Sequence, residues 1–294
     1  MTNNTPKTIC LVTCRKLAGL TADDQVLADA FARADWTVDA VSWDDPTADW
    51  VAYDAVILRS TWDYHQRVEE FRQWLQACQA AGVPLWNPPD LVQWNIHKGY
   101  LEELAQAGLP VVPTVIVRPE APRRLAEILE ERGWSQAVLK PAVSATAYRT
   151  VRTSPDTAAD DQAQLEAILG ETDALIQPFV PEIASAGEIS LLFFGGRYSH
   201  AVLKRAKPGD FRVQSDFGGS ETLLEPSAES LEQAQRIADA IRRPWLYARI
   251  DVVDQAGTLV VMEIELIEPQ LFFAQDHRSA TALINALEER LAEV

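Results

Sequence analysis

The chain has 294 residues, 47% of them hydrophobic, which suffices for ordinary globular cores and argues against a largely disordered polymer. Asp and Glu outnumber Lys and Arg by 43 to 26, and the resulting charge of −17 argues against partners such as nucleic acid or anionic membranes. Cys10, Cys14 and Cys78 are too few and too odd in number for a disulfide framework, and no partner follows at zinc spacing. They fit a reducing, cytoplasmic setting, and the first residues, MTNNTPK, lack the apolar stretch of a secretion signal.

In chain order, KTICLVTC predicts a strand and TADDQVLADAFARADW a helix, capped by Thr21 with acids in its first turn. TVDAVSW and YDAVILRS predict further strands, VEEFRQWLQACQAAG an amphipathic helix closed by Gly82, and PLWNP a short strand. This βαβ rhythm implies a parallel α/β domain over residues 1–90. The helix LVQWNIHKGYLEELAQAG opens a second region, 91–174, followed by strand VVPTVIV, helix RRLAEILEERG, strand AVLKP, strand YRTVRTS and helix AADDQAQLEAILG. From 175 to 294 strands dominate: LIQPFV, then EISLLFFGGRYSHAVLKRAK and YARIDVVDQAGTLVVMEIELIEP, each folded back at a glycine turn. Two helices, SAESLEQAQRIADAIRR and TALINALEERLAEV, complete an α+β region.

Residues two apart on a strand share a face, so Glu263 and Glu265 point one way, as do Arg249 and Asp251 on the strand before. Three convergent carboxylates repel unless cations neutralise them, which suits Mg²⁺ held together with nucleotide phosphates, or else an outward acidic face. Lys140 ends an apolar strand, and Lys98 lies near a helix start where phosphate is favoured. A lone lysine at either place is more often a surface residue. Pro178 and Pro181 hold LIQPFVPEI extended, with backbone groups free for a purine edge and Gln177 and Glu182 beside them. Lys204, Arg205, Lys207 and Arg212 form the one dense basic cluster, read as an anion clamp or as a hairpin paired with nearby acids.

The ordered set Lys98, LKP, IQPFVPEI, GEIS, KRAKPGDFR, GG, RID and MEIE resembles the ATP-grasp superfamily over essentially the full length. Its layout is similar to bacterial glutathione synthetase and D-alanine–D-alanine ligase. The resemblance implies an ATP-grasp fold: an N-terminal parallel α/β domain and two lobes clamping ATP. It also implies that Lys98, Lys140, Ser144 and Thr146 hold phosphates, that Gln177, Phe179 and Val180 grip adenine, and that Glu182 and Glu188 touch adenine or ribose. Lys204, Arg205 and Arg212 would be catalytic, stabilising the transferring phosphoryl group, and Asp251, Glu263 and Glu265 would bind two Mg²⁺ ions, with Mn²⁺ as an alternative. A homodimer is compatible with it.

Two features depart from the superfamily pattern. Glu265 stands where an asparagine is usual, adding a negative charge to an oxygen ligand. The phosphate lid, AVSATAYRT, has no glycine, which predicts a stiffer loop. RSTWDY, QPFVPEI with GEIS, GDFRVQSDFGG and MEIELIEP are together similar to the subgroup containing the cyclo-ligase that closes the D-cycloserine ring. That similarity implies an ADP-forming ligase that turns an amino-acid-like carboxylate into an acyl phosphate for attack by an internal nitrogen. An intermolecular amide ligase and an ATP-binding regulator without turnover are the alternatives. RSTWDY sits at the carboxyl end of a strand, where open α/β sheets take ligands. Arg59 would anchor a substrate carboxylate, Ser60, Thr61 and Asp63 would hold an ammonium or ureido group or cap the next helix, and Trp62 and Tyr64 would wall the pocket. Glu268 completes this substrate set.

Overall fold

The structure is a computed structural model that describes residues 6–207, 213, 218–241 and 244–293. The N-terminal layer is a fully parallel sheet in the order β2-β1-β3-β4, built from β1 (Thr8–Thr13), β2 (Thr37–Ser42), β3 (Ala55–Leu58) and β4 (Leu85–Trp86). Both faces are covered, so β1 reads as an unbroken apolar run: Ile9 and Leu11 enter one core, Cys10 and Val12 another. Helix α1 (Ala22–Arg33) starts as expected at Thr21, whose hydroxyl accepts from the Asp24 N–H, and α2 (Val68–Ala81) ends at Gly82 in the left-handed region.

The single helix expected over 91–108 is instead two, α3 (Pro89–Asn95) and α4 (Tyr100–Gln106). The Lys98 N–H leaves the helical ladder for the Ala142 carbonyl at 2.9 Å, and His97 Nδ1 accepts from the Gly99 N–H. An antiparallel sheet in the order β5-β8-β6-β7 follows, from β5 (Val115–Val117), β6 (Ala137–Pro141), β7 (Val151–Thr153) and β8 (Ala174–Pro178). Its outer face packs under α5 (Leu125–Arg132) and α6 (Ala158–Leu169) in a core of its own. Beyond β8 the extended segment is shorter than the sequence suggests, because Pro181 opens the one-turn helix α7 (Pro181–Ser185).

The third sheet is antiparallel, β11-β10-β9-β12-β13, from β9 (Glu188–Phe194), β10 (Arg197–Arg205), β11 (Ser220–Leu224), β12 (Tyr247–Gln255) and β13 (Thr258–Glu265). Gly195 and Gly196, at φ 56° and 85°, make the β9–β10 turn that L-residues with side chains resist. One face packs under α8 (Ala228–Asp239), and α9 (Arg278–Ala292) joins this sheet to the N-terminal layer. Leu192, Phe194 and Val202 share a core with Ile9, Leu27 and Leu283. Polar ties reinforce the junction. Asn87 Nδ2 donates to the Tyr247 and Leu266 carbonyls at 2.9 and 2.8 Å, and the Tyr247 hydroxyl reaches the Leu58 and Ile267 carbonyls at 2.9 Å each.

Candidate active site

A cavity of about 600 Å³ opens where the three sheets meet. Its floor is the β12–β13 hairpin, whose register sets Arg249 opposite Glu265 and Asp251 opposite Glu263. Strand alternation thus delivers all four charges to one face, with Ile250 and Ile264 buried behind. Lys204 reaches in from β10, within 2.5 Å of Glu188 and 3.2 Å of Asp251, and Ser190 donates to Asp251 at 2.5 Å. Arg249 bridges Asp251, at 3.0 Å, to Glu265.

The opposite wall carries Lys140 on β6 and Lys98 in the α3–α4 break. Lys98 Nζ donates to the Ser144 carbonyl at 2.7 Å and lies 3.2 Å from one oxygen of Glu263, while Lys140 lies 3.9 Å from the other. Four cations (Lys98, Lys140, Lys204, Arg249) therefore meet four carboxylates (Glu188, Asp251, Glu263, Glu265) in one paired network across the floor and opposite wall. Burial raises the Asp251 pKa, but Arg249 and Lys204 more than offset it and hold the carboxyl down at about 2. Glu263 is lowered in the same way by Lys98 and Lys140 against its burial. Burial dominates at Glu265, pushed up to about 7, and at Glu268, pushed up to about 8 with help from the Glu265 charge. Burial also lowers Lys140.

Among the described residues no three carboxylate, imidazole or thiol groups close on one point as metal ligands. Asp251, Glu263 and Glu265 are drawn onto cations instead. As hard oxygen donors around one cavity they nevertheless have the chemistry that Mg²⁺ takes.

Ser144, Thr146, Gln177, Phe179, Val180 and Glu188 line the same cavity, as do Arg59, Trp62, Tyr64 and Glu268. Gln177 is not free, since its amide donates to Thr114 Oγ1 at 2.9 Å. Glu188 is held by Lys204, which places it on the floor with the charge network. The lid over Ser144–Thr150 does without glycine by holding Thr146, Ala147 and Arg149 at φ 52°, 54° and 52°. Arg149 pins it through an ion pair to Glu171 at 2.8 Å, and Tyr148 packs on His65 beside the β3 tip.

Several expected residues stand elsewhere. Ser60 and Thr61 are fully buried and do not line the cavity. Asp63 accepts from Trp43 Nε1 at 2.8 Å and pairs with Arg67 at 2.9 Å, so it ties the N-terminal layer together and does not cap the following turn. Glu182 starts α7 outside the lining. Arg205 is exposed, because β10 alternation turns it away as it turns Lys204 inward. Arg212 lies outside the described residues. Arg249 and Asp23 are among the charged lining residues missed as site members. Arg249 shares the Asp251 face, which alternation alone reveals, whereas Asp23 reads in the sequence only as a first-turn acid.

The family model for the D-cycloserine synthetase DcsG N-terminal domain matches residues 9–87. The cycloserine biosynthesis protein DcsG of Streptomyces lavendulae is 31% identical over 302 residues, covering 96% of this chain and 98% of its own. The chain belongs to the D-cycloserine synthetase family. A crystal structure of D-cycloserine synthetase DcsG superposes with a TM-score of 0.84 at 29% identity, over 97% of this chain and 99% of that one. D-alanine–D-alanine ligase from Bacillus anthracis shares the fold, with a TM-score of 0.70 at 15% identity over 98% of both chains. The fold is that of the ATP-grasp ligases, and the protein is an ATP-dependent enzyme that forms C–N bonds between a carboxylate and an amine. No helix among the described residues is long and apolar enough to cross a membrane.

Proposed function

We propose that this enzyme closes a ring within one small amino-acid-like substrate, as the D-cycloserine synthetases it resembles are named for doing. The 31% identity to the cycloserine biosynthesis protein DcsG over 96% of the chain supports ring closure, and the paired network of four cations and four carboxylates around the cavity supports the nucleotide chemistry. Such a network can open to admit a magnesium nucleotide. Phosphate oxygens would take Lys98 and Lys140, and the carboxylates so released would face the accompanying cation. Asp251, Glu263 and Glu265 would hold Mg²⁺, which when bound neutralises phosphate charge and orients the transferring group. Gln177, Phe179 and Val180 would receive the base at the β8 edge, with Ser144 and Thr146 over the phosphates.

A substrate carboxylate oxygen then attacks the γ-phosphorus, and the bond to the β-phosphate oxygen breaks, giving ADP and an acyl phosphate. The internal nitrogen attacks the acyl carbon, the C–O bond to phosphate breaks, and the nitrogen's proton passes to the departing phosphate. Arg249 and Lys204, both in the cavity lining, would neutralise the negative charge that grows in both steps, and positioning with charge neutralisation would supply most of the acceleration. Arg59, Trp62, Tyr64 and Glu268 form the substrate end, with the Trp62 indole fixed by a 3.1 Å bond to the Glu268 carbonyl.

Phosphate release tests the reading, measured with O-ureido-D-serine and a panel of D- and L-amino acids, each supplied alone. Stoichiometric ADP and phosphate with one amino substrate is the expected result. A strict requirement for a second amine would refute ring closure in favour of intermolecular ligation.

A further inference from the structure

The substrate end of the cavity contains two buried polar atoms without partners. Arg59 is 2% exposed, and its Nε and Nη2 are taken by Asp24 at 2.8 Å and by the Pro269 carbonyl at 2.9 Å, yet Nη1 has no hydrogen bond. Asp23 accepts the Ala274 N–H on Oδ1 at 2.9 Å and is also approached by the Leu271 amide, while its buried Oδ2 makes no hydrogen bond of good geometry. Both residues line the cavity. Leaving such atoms unpaired away from water is costly, more so for charged groups, and a built site leaves them so where a ligand completes them.

Charge points the same way. Asp24 is fully used, with Arg59 on Oδ1 and the Thr21 hydroxyl on Oδ2 at 2.9 Å. Two adjacent carboxylates thus face one guanidinium, and among the described residues Asp23 has no ion-pair partner of its own. The deficit is one positive charge, next to an unused donor. A ligand that satisfies both must carry a cation and an acceptor side by side.

We propose that Asp23 Oδ2 and Arg59 Nη1 form an α-amino-acid subsite, Asp23 receiving the ammonium and Arg59 a carboxylate oxygen of the same ligand. This rests on the ligase reading for the identity of the cavity and deepens it, by requiring a free α-amino group on the substrate. It also moves ammonium recognition away from Ser60, Thr61 and Asp63, which face the protein interior.

The test is a binding titration with Mg²⁺ and a non-hydrolysable ATP analogue at saturation. It compares O-ureido-D-serine with its deamino counterpart, 3-(ureidooxy)propanoate, on the wild type and on Asp23→Asn. The wild type should bind the amino ligand at least about 30-fold more tightly, and Asp23→Asn should remove most of that difference while leaving the deamino ligand's affinity within about threefold. Equal affinity of the two ligands for the wild type overturns the subsite, as does equal weakening of both by the substitution. Should Asp23→Asn fail to fold, the wild-type comparison alone decides. If neither ligand binds, the subsite is overturned, while the ligase reading is judged separately by phosphate release from the amino-acid panel.

Discussion

Replacing Glu263 with glutamine tests the charge network most directly. Its two carboxylate oxygens lie 3.2 Å from Lys98 and 3.9 Å from Lys140. At an effective dielectric of about 20 those attractions amount to about 5 and 4 kcal/mol, most of which offsets the desolvation of the ions. Removing one partner from a buried pair costs about 3–5 kcal/mol, and because the Glu263 side chain is 27% exposed the lower end applies, about 3 kcal/mol. At about 2–4 °C per kcal/mol, Glu263→Gln should melt about 6–12 °C below the wild type. ATP without divalent metal should then raise the melting temperature more in the variant, because phosphate no longer competes with a carboxylate for the two lysines. Turnover with Mg²⁺ should fall at least about 100-fold. Differential scanning fluorimetry in EDTA, with and without ATP, measures the first two effects. A variant melting within about 2 °C of wild type, with an equal response to ATP, would refute the lysine–carboxylate exchange.

Lys204→Met should abolish phosphate release and lower stability by leaving Glu188 and Asp251 unpaired, whereas Arg205→Ala should change release by less than about threefold; steady-state assays on the pair check the inward and outward assignment. Glu268 is raised from 4.5 to about 8, so across that window the folded enzyme holds a proton that the unfolded chain has lost, and stability falls as pH rises. Glu268→Gln should flatten that slope in melting curves taken from pH 5 to 9; an unchanged slope would assign it to Glu265 or elsewhere. Ala147, at φ 54°, should tolerate glycine unusually well: Ala147→Gly is expected to raise the melting temperature by about 2–4 °C, where the same change in a helix lowers it.

What could be read from the chain and what could not divide along physical lines. Period-two alternation is local, so the common face of Glu263, Glu265, Arg249 and Asp251 was legible, as was the Thr21 cap of α1. The strand tip at Arg59 was also legible as a place facing the cavity. The allocation of its neighbours was not, because Ser60, Thr61 and Asp63 look as polar in the sequence as Trp62 and Tyr64 do. Only tertiary structure decides it: Asp63 binds Trp43 and Arg67, and Ser60 and Thr61 are fully buried outside the cavity lining. Asp23 was hidden for a different reason. Two acids in a helix's first turn are explained by the helix dipole alone, and the Arg59 bond to the Pro269 carbonyl spans 210 residues. The split of the 91–108 helix was likewise decided by a distant acceptor, the Ala142 carbonyl.

The separate core beneath β5, β6, β7 and β8 bears on how the molecule comes apart. The N-terminal layer and the five-stranded sheet share Phe194, Val202 and Leu283 with Ile9 and Leu27, so neither can loosen without exposing the other. Residues 115–178 instead bury Val117, Leu139, Leu165 and Ile176 among themselves, and reach the larger body through fewer apolar groups, Leu175 and Ala142 among them. Amide exchange should therefore proceed in two tiers, with this lobe opening before the global transition. Lys140 travels with the lobe while Lys98 and Glu263 stay behind, so nucleotide binding would be felt as slowed exchange in β6 and β8, across the cavity from the strands that hold the carboxylates.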